Sequence, residues 1–168
     1  TDSRLLWKFL TGDVITSSCA LVNNNVLFGS YDNYFYSLEK NTGKLVWKFR
    51  TNGHLTALFP TVIDESFNEV WSLDAKLVEA SVNDGFVFCG CSDRHMYALT
   101  LDGKFFWKFL TGSWPVGAAR IFNKKVYFSS YDRHIYCVSA GGAFRWRYVT
   151  GKGTESTPLI YNNTLYVG

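Results

Sequence analysis

One phrase is written four times in this chain, and its recurrence limits what the chain can fold into. "LLWKFLTG" begins at Leu5, "LVWKFRTN" at Leu45, "FFWKFLTG" at Phe105 and "FRWRYVTG" at Phe144. The tryptophans that mark it, Trp7, Trp47, Trp107 and Trp146, stand 40, 60 and 39 residues apart. A second phrase follows each of the first three: "VLFGSYDNYFYSL" from Val26, "VFCGCSDRHMYAL" from Val87 and "VYFSSYDRHIYCV" from Val126. Asp32 lies 25 residues after Trp7, and Asp132 lies 25 after Trp107. Asp93 lies 46 after Trp47, so the middle unit carries an insertion of about 21 residues. A period near 40 with several short strands per unit is the signature of a propeller blade or a related β-array.

Alternation and turn residues give the strands. In the first unit they run over Ile15–Val22, Val26–Ser30, Tyr34–Leu38 and Leu45–Thr51, separated by "NNN", "YDN" and "EKNTG". Asn, Asp and Gly accept positive φ or bond their own backbone, so these breaks read as turns. The third unit repeats the plan over Val116–Phe122, Val126–Ser129, His134–Val138 and Phe144–Val149. A fourth begins with Ser156–Tyr161 and Leu165–Val167, and Leu5–Leu10 reads as a lone outer strand. The expected fold is all-β, a β-propeller of four-stranded antiparallel blades, with about three and a half to four of them here. The units are about 5–43, 44–103, 104–142 and 143–168, the last incomplete, in a single region over 1–168. The chain reads as a piece of a larger ring; the alternative is closure by pairing its two ends.

The middle unit leaves two readings open. Its inner strand is either Leu55–Val62 or Val78–Val82. The insertion near 63–76 is expected as a loop or hairpin over one end of the ring, where inserted loops on rigid scaffolds often carry function.

Composition narrows the classes. With 47% hydrophobic residues the chain is not disordered, and no apolar run approaches the roughly 20 residues of a membrane span. The first ten residues carry charges and show no leader. A net charge of +3 with scattered basic residues makes no case for nucleic acid. Cys19, Cys89, Cys91 and Cys137 have neither CxxC nor metal spacing. They read as small buried hydrophobes, which favours a reducing compartment, the cytoplasm; the periplasm is the alternative if a leader was removed.

Asp32, Asp93 and Asp132 look like a carboxylate set, but they occupy equivalent turns of different blades. Ring symmetry sets them apart on one rim, each accepting hydrogen bonds in its own turn. His95 and His134, one unit apart, do not have zinc spacing. Trp114 interrupts the repeat in "TGSWPVGAA", where a loop leads into an inner strand. It is the one candidate for ligand contact at the end of the central channel. No GxSxG, P-loop or dinucleotide fingerprint is present.

"SYDNYFYSLEKNTGKLVWKF" resembles the repeat of PQQ-like, quinoprotein-type β-propellers, matching at Ser37, Glu39, Thr42, Gly43 and Trp47. Later units keep Gly103 with Trp107 and Gly142 with Trp146. The "TG…SSP" phrase recurs near "TGDVITSSC" and, with its proline, in "TGKGTESTP". The repeated Trp is a flat plug between blades whose N–H reaches a neighbouring backbone. The Gly meets the positive φ of its turn. Enzymes of the resembled family hold pyrroloquinoline quinone between a Trp and a disulfide of adjacent cysteines, with Asp and Asn near calcium. Here Gly90 separates Cys89 from Cys91. The resemblance therefore implies a non-catalytic scaffold that binds a protein or ligand through rim loops or the channel mouth, with no cofactor. The alternative is part of a quinoprotein dehydrogenase using pyrroloquinoline quinone with calcium. Relatives with such repeats include bacterial outer-membrane assembly lipoproteins and propeller tails of larger, often adenylate-forming, enzymes.

An unpaired strand edge in the fourth unit invites pairing with another chain. The 168-residue chain is expected to self-associate at high concentration; a monomer by light scattering would contradict this.

Overall fold

The computed structural model describes residues 4–55, 60–64, 69–71 and 85–168, and these are all-β. The first sheet holds β1 (Ala20–Val22), β2 (Asn25–Gly29), β3 (Tyr34–Glu39) and β4 (Leu45–Arg50), antiparallel and in chain order. The second holds β5 (Thr61–Asp64), β6 (Glu69–Trp71), β7 (Gly85–Gly90), β8 (His95–Thr100) and β9 (Phe105–Leu110), in the order β6-β5-β7-β8-β9. The third holds β10 (Pro115–Phe122), β11 (Lys125–Ser130), β12 (His134–Ser139) and β13 (Phe144–Val149), again in chain order. A two-stranded sheet of β14 (Leu159–Tyr161) and β15 (Thr164–Tyr166) follows.

Turn chemistry sets these hairpins. Asn123 and Lys124, then Asn162 and Asn163, form two-residue turns with φ between 48° and 58°. That is the left-handed region whose twist matches paired strands. The turns after β2, after β7 and after β11 place Asn33, Arg94 and Arg133 at φ 71°, 70° and 68°. Asn tolerates this conformation; an arginine there costs about 1 kcal/mol of backbone strain.

The sheets pack face to face through the outer strands. Burial alternates along β4: Trp47 and Phe49 turn inward while Val46, Lys48 and Arg50 stay exposed. A period of two aims both rings at the same neighbour. Trp47 Nε1 donates to the Leu101 carbonyl of the next sheet at 3.0 Å, and Trp107 donates to Ala140 at 2.7 Å. Trp7 does the same to Lys40 at 2.8 Å. Each indole lies over a glycine of the receiving turn. A Cβ on Gly103 would come within 2.5 Å of the Trp47 ring, and one on Gly142 within 2.8 Å of Trp107. The following aromatic adds an edge-on contact: Phe9 to Tyr36, Phe49 to Tyr97 and Phe109 to Tyr136, with centroids 5.6, 6.1 and 5.6 Å apart. The cores therefore lie between sheets. Phe35, Val87 and Leu99 fill one gap beside Trp47, and Phe88, Phe128 and Val138 fill the next beside Trp107.

Several boundaries differ from the sequence expectation. Leu5–Leu10 is not a strand: its backbone joins no ladder among the described residues, although Trp7 and Phe9 dock as their counterparts do. The first inner strand shortens from Ile15–Val22 to Ala20–Val22. In place of a ladder there, the Ser17 hydroxyl accepts from Gly29 N–H at 2.9 Å and donates to its carbonyl at 3.1 Å. In the middle unit Thr61–Asp64 pairs with β7, overlapping the end of Leu55–Val62. Leu55 itself makes only an isolated bridge to Cys91. The alternative, Val78–Val82, lies outside the described residues. The described part of the 63–76 insertion forms a hairpin, with Val62 opposite Trp71. Of the two forms expected, loop or hairpin, it is the hairpin, and it adds a fifth strand to the edge of the sheet.

Burial separates the equivalent tryptophans: Trp107 is 7% exposed and Trp146 is 38% exposed, leaning on Tyr127. Trp107→Ala is expected to cost about 4 kcal/mol in urea unfolding, and Trp146→Ala under about 1 kcal/mol. Equal losses would show that the indole plug is not what holds the sheets together.

Candidate functional site

Two kinds of connection share one rim. The segment leading out of each outer strand meets the turn between the second and third strands of the following sheet. Backbone bonds fix the meeting: Tyr31 N–H donates to Val14, Ser92 to His54 and Tyr131 to Trp114, at 2.9, 2.7 and 3.0 Å. The three repeated aspartates sit in these turns.

Each aspartate is a clasp. Asp32 Oδ2 accepts from Gly12 N–H at 2.8 Å and from the Tyr36 hydroxyl at 2.6 Å, and Oδ1 accepts from Tyr34 N–H at 3.0 Å. Asp132 repeats this with Gly112 at 2.7 Å, Tyr136 at 2.5 Å and His134 N–H at 3.1 Å. Asp93 accepts from Tyr97 at 2.6 Å and His95 N–H at 3.0 Å. Burial pushes the Asp132 carboxyl upward, but the bonds from Tyr136, Gly112 and Ser130 outweigh it and hold it below its ordinary value. The same balance lowers Asp32 and Asp93. Burial, followed by the aspartate bond, raises Tyr36, Tyr97 and Tyr136. These carboxylates stay ionised and already have their donors. His95 and His134 face their own turns, with Nδ1 2.9–3.0 Å from the carbonyls of Asp93 and Asp132.

Three of the four thiols are withdrawn from chemistry: Cys89, Cys91 and Cys137 are free and buried as expected, whereas Cys19, expected to be buried too, is free and exposed because the segment before β1 joins no ladder. Burial pushes Cys91 up to about 12, and its Sγ donates to the Gly53 carbonyl at 3.2 Å. Among the described residues no three His, Cys, Asp or Glu converge as metal ligands. A quinone seat built on an adjacent-cysteine disulfide and uncommitted carboxylates does not fit these residues. No helix among the described residues is long and apolar enough to cross a membrane.

What remains on the rim is aromatic. Trp114, immediately before β10, is 46% exposed and meets Tyr131, 40% exposed, edge to face at 6.3 Å. Tyr131 donates its hydroxyl to Glu155 Oε1 at 2.5 Å. That bond, then burial, the Glu155 charge and Tyr31 together raise the Tyr131 pKa. Tyr31 holds the equivalent place in the first sheet, one residue before the clasped Asp32. Tyr31 in turn stacks on His54 at 5.1 Å. Of the sequence candidates, only Trp114 belongs to this group; Trp7, Trp47 and Trp107 dock against the next sheet, Trp146 lies half-open on Tyr127, and the three aspartates are committed to their turns. Sequence reading missed Tyr31, His54, Tyr131 and Glu155. The signal for two of them was present: Tyr precedes Asp in "SYDN" and "SYDR", where the middle unit has Ser.

Charge on this rim runs against the chain as a whole. Asp13, Asp32, Asp93, Asp132 and Glu155 outnumber Arg94, Arg133 and Lys152, while the chain carries +3. A groove of about 980 Å³ opens beside β13, lined in part by Trp146, Tyr148, Lys152, Thr154, Leu165 and Val167.

The clasp sets a pH dependence. An aspartate whose folded pKa is lowered adds stability above its unfolded value, near 3.9, and loses it as pH falls through the folded value. Asp132→Asn is expected to cost about 2 kcal/mol at neutral pH. That deficit should begin to shrink below about pH 4, where the unfolded carboxyl takes up its proton, and vanish only as pH falls through the lowered folded value. Urea unfolding of both proteins across pH measures it, and a deficit independent of pH would refute the clasp.

Residues 1–121 match the family model described as outer membrane protein assembly factor BamB. Among solved structures the chain superimposes on BamB from Moraxella catarrhalis with a TM-score of 0.67 at 16% identity, covering 96% of this chain and 46% of that one. It superimposes on the computationally designed Ika4 protein at 0.73 and 14% identity, covering 100% and 92%. U3-55K gives 0.64 at 12%, covering 91% and 44%. The chain thus spans about half the length of the BamB structure. At these identities the likeness establishes the β-propeller fold. No curated protein matches the sequence.

Proposed function

Because this chain belongs to the β-propeller family described as outer membrane protein assembly factor BamB, we propose that it is a protein-binding scaffold whose docking face is the rim of Tyr31, Trp114 and Tyr131. The observation that carries this reading is the exposure of Trp114 and Tyr131 on a rim whose other repeated side chains are committed to packing. Rigid scaffolds present binding residues on the loops they position. Tyr and Trp offer large contact area at little entropic cost and are enriched in binding hot spots. The clasped aspartates and buried thiols support a binding role over catalysis, since none offers a free base or an activated nucleophile.

Photo-crosslinking tests the face. Benzoylphenylalanine in place of Trp114 or Tyr131, in cells making the full protein, should capture a discrete protein partner. The same group at Asn41, in the turn between β3 and β4, should not. Capture from both positions alike, or from neither, would count against the rim. Pyrroloquinoline quinone with calcium should leave the melting temperature unchanged, and a saturable rise would restore the quinoprotein alternative.

A further inference from the structure

We propose that the aromatic corner of Trp114 and Tyr131, closed by Glu155, receives a lysine or arginine side chain of the partner. This rests on the rim being the docking face and names the chemistry it selects. The two rings meet at an interplanar angle of 67°, so they form a corner rather than a flat patch. Both are partly open to solvent. The negative faces of Trp and Tyr attract a cation within about 6 Å of the ring centroid. Tyr131 donates its hydroxyl proton to the Glu155 carboxylate, which leaves its ring more electron-rich. That bond engages Oε1 of Glu155, which leaves the carboxylate acceptor capacity beside the Tyr131 ring. Lysine has three donors and no acceptor, and arginine five in a fixed fork, so both pair naturally with a half-used carboxylate flanked by rings.

The surroundings agree in sign. Carboxylates outnumber basic side chains on this rim in a chain of net positive charge. Arg133 and Lys152 are the basic groups nearest in sequence to the corner, and both are exposed. The fold already uses the same kind of contact internally, with Lys48 Nζ 4.4 Å from the centre of the Tyr34 ring and Lys108 Nζ 5.8 Å from that of Tyr97. A purely apolar partner residue would gain nothing from Glu155 and would strip water from its charge, at a cost.

The test reads Trp114 directly. The chain is labelled with 5-fluorotryptophan, and the Trp114 fluorine resonance is identified by its loss in Trp114→Phe. Blocked Gly-Lys-Gly is titrated to tens of millimolar, beside Gly-norleucine-Gly and Gly-Glu-Gly. The lysine peptide should shift the Trp114 resonance saturably and bind at least about tenfold more tightly than either comparison peptide. Glu155→Gln keeps the acceptor for Tyr131 but removes the charge, and should weaken lysine binding about fivefold with an unchanged melting temperature. Equal binding of the norleucine peptide, preference for the glutamate peptide, no shift with lysine, or indifference to Glu155→Gln would each overturn the proposal. If it falls while crosslinking at Trp114 still captures a partner, the scaffold reading stands and only the cation preference is lost.

Discussion

An indole N–H reaching the carbonyl of the next sheet is the contact on which the rest of this structure depends. Trp7, Trp47 and Trp107 each make it, at 2.7–3.0 Å, and each lies flat on a glycine whose missing side chain leaves room for the ring. A twisted sheet cannot bury its face alone. The indole supplies area for burial and a direction for the hydrogen bond, so neighbouring sheets dock in one register. The Phe two residues on shares the face because strand side chains alternate, and it lands on the tyrosine that clasps the aspartate. Packing and polar satisfaction thus converge on Tyr36, Tyr97 and Tyr136.

The two ends of an outer strand are secured differently. One end carries the indole plug, an apolar contact insensitive to pH. The other leads into a Thr-Gly or Thr-Asn turn, and at Gly12 and Gly112 its amide is held by an ionised aspartate of the following sheet. Groups that resemble catalytic equipment in the sequence are consumed in this second fastening. That leaves the rim's chemistry to side chains outside the repeat, Trp114 above all.

Much of this was legible because a repeat states its structural residues several times over. The spacing of Trp47, Trp107 and Trp146 marked the outer strands, that of Trp7 marked a segment that docks without joining a ladder, and Asp32, Asp93 and Asp132 marked the turns between second and third strands. The pairing of Asp with a Tyr four residues on was also written in all three units, and only the hydroxyl bond reveals why. Tyr31 with His54 was not legible: the partners come from different units, 23 residues apart, and their contact depends on how sheets are set around an axis. The inner strand of the middle unit was ambiguous because two apolar stretches fitted it. Pairing of Val62 with Val87 favours the earlier stretch, which no local pattern could decide. The strand length lost before Ala20 depended on Ser17, whose hydroxyl satisfies Gly29 without a ladder.

Plug and socket in this molecule come from successive sheets: Trp47 and Trp107 each stand on one sheet, and the glycine each covers lies in the turn of the next. Duplication of a whole unit at any point therefore copies one of each, and every old and new indole still finds a seat. Half a unit would leave an indole unseated or a glycine hollow open to water. The lineage of such a chain is thus free to change its number of blades in whole steps, while the cut point within a repeat hardly matters.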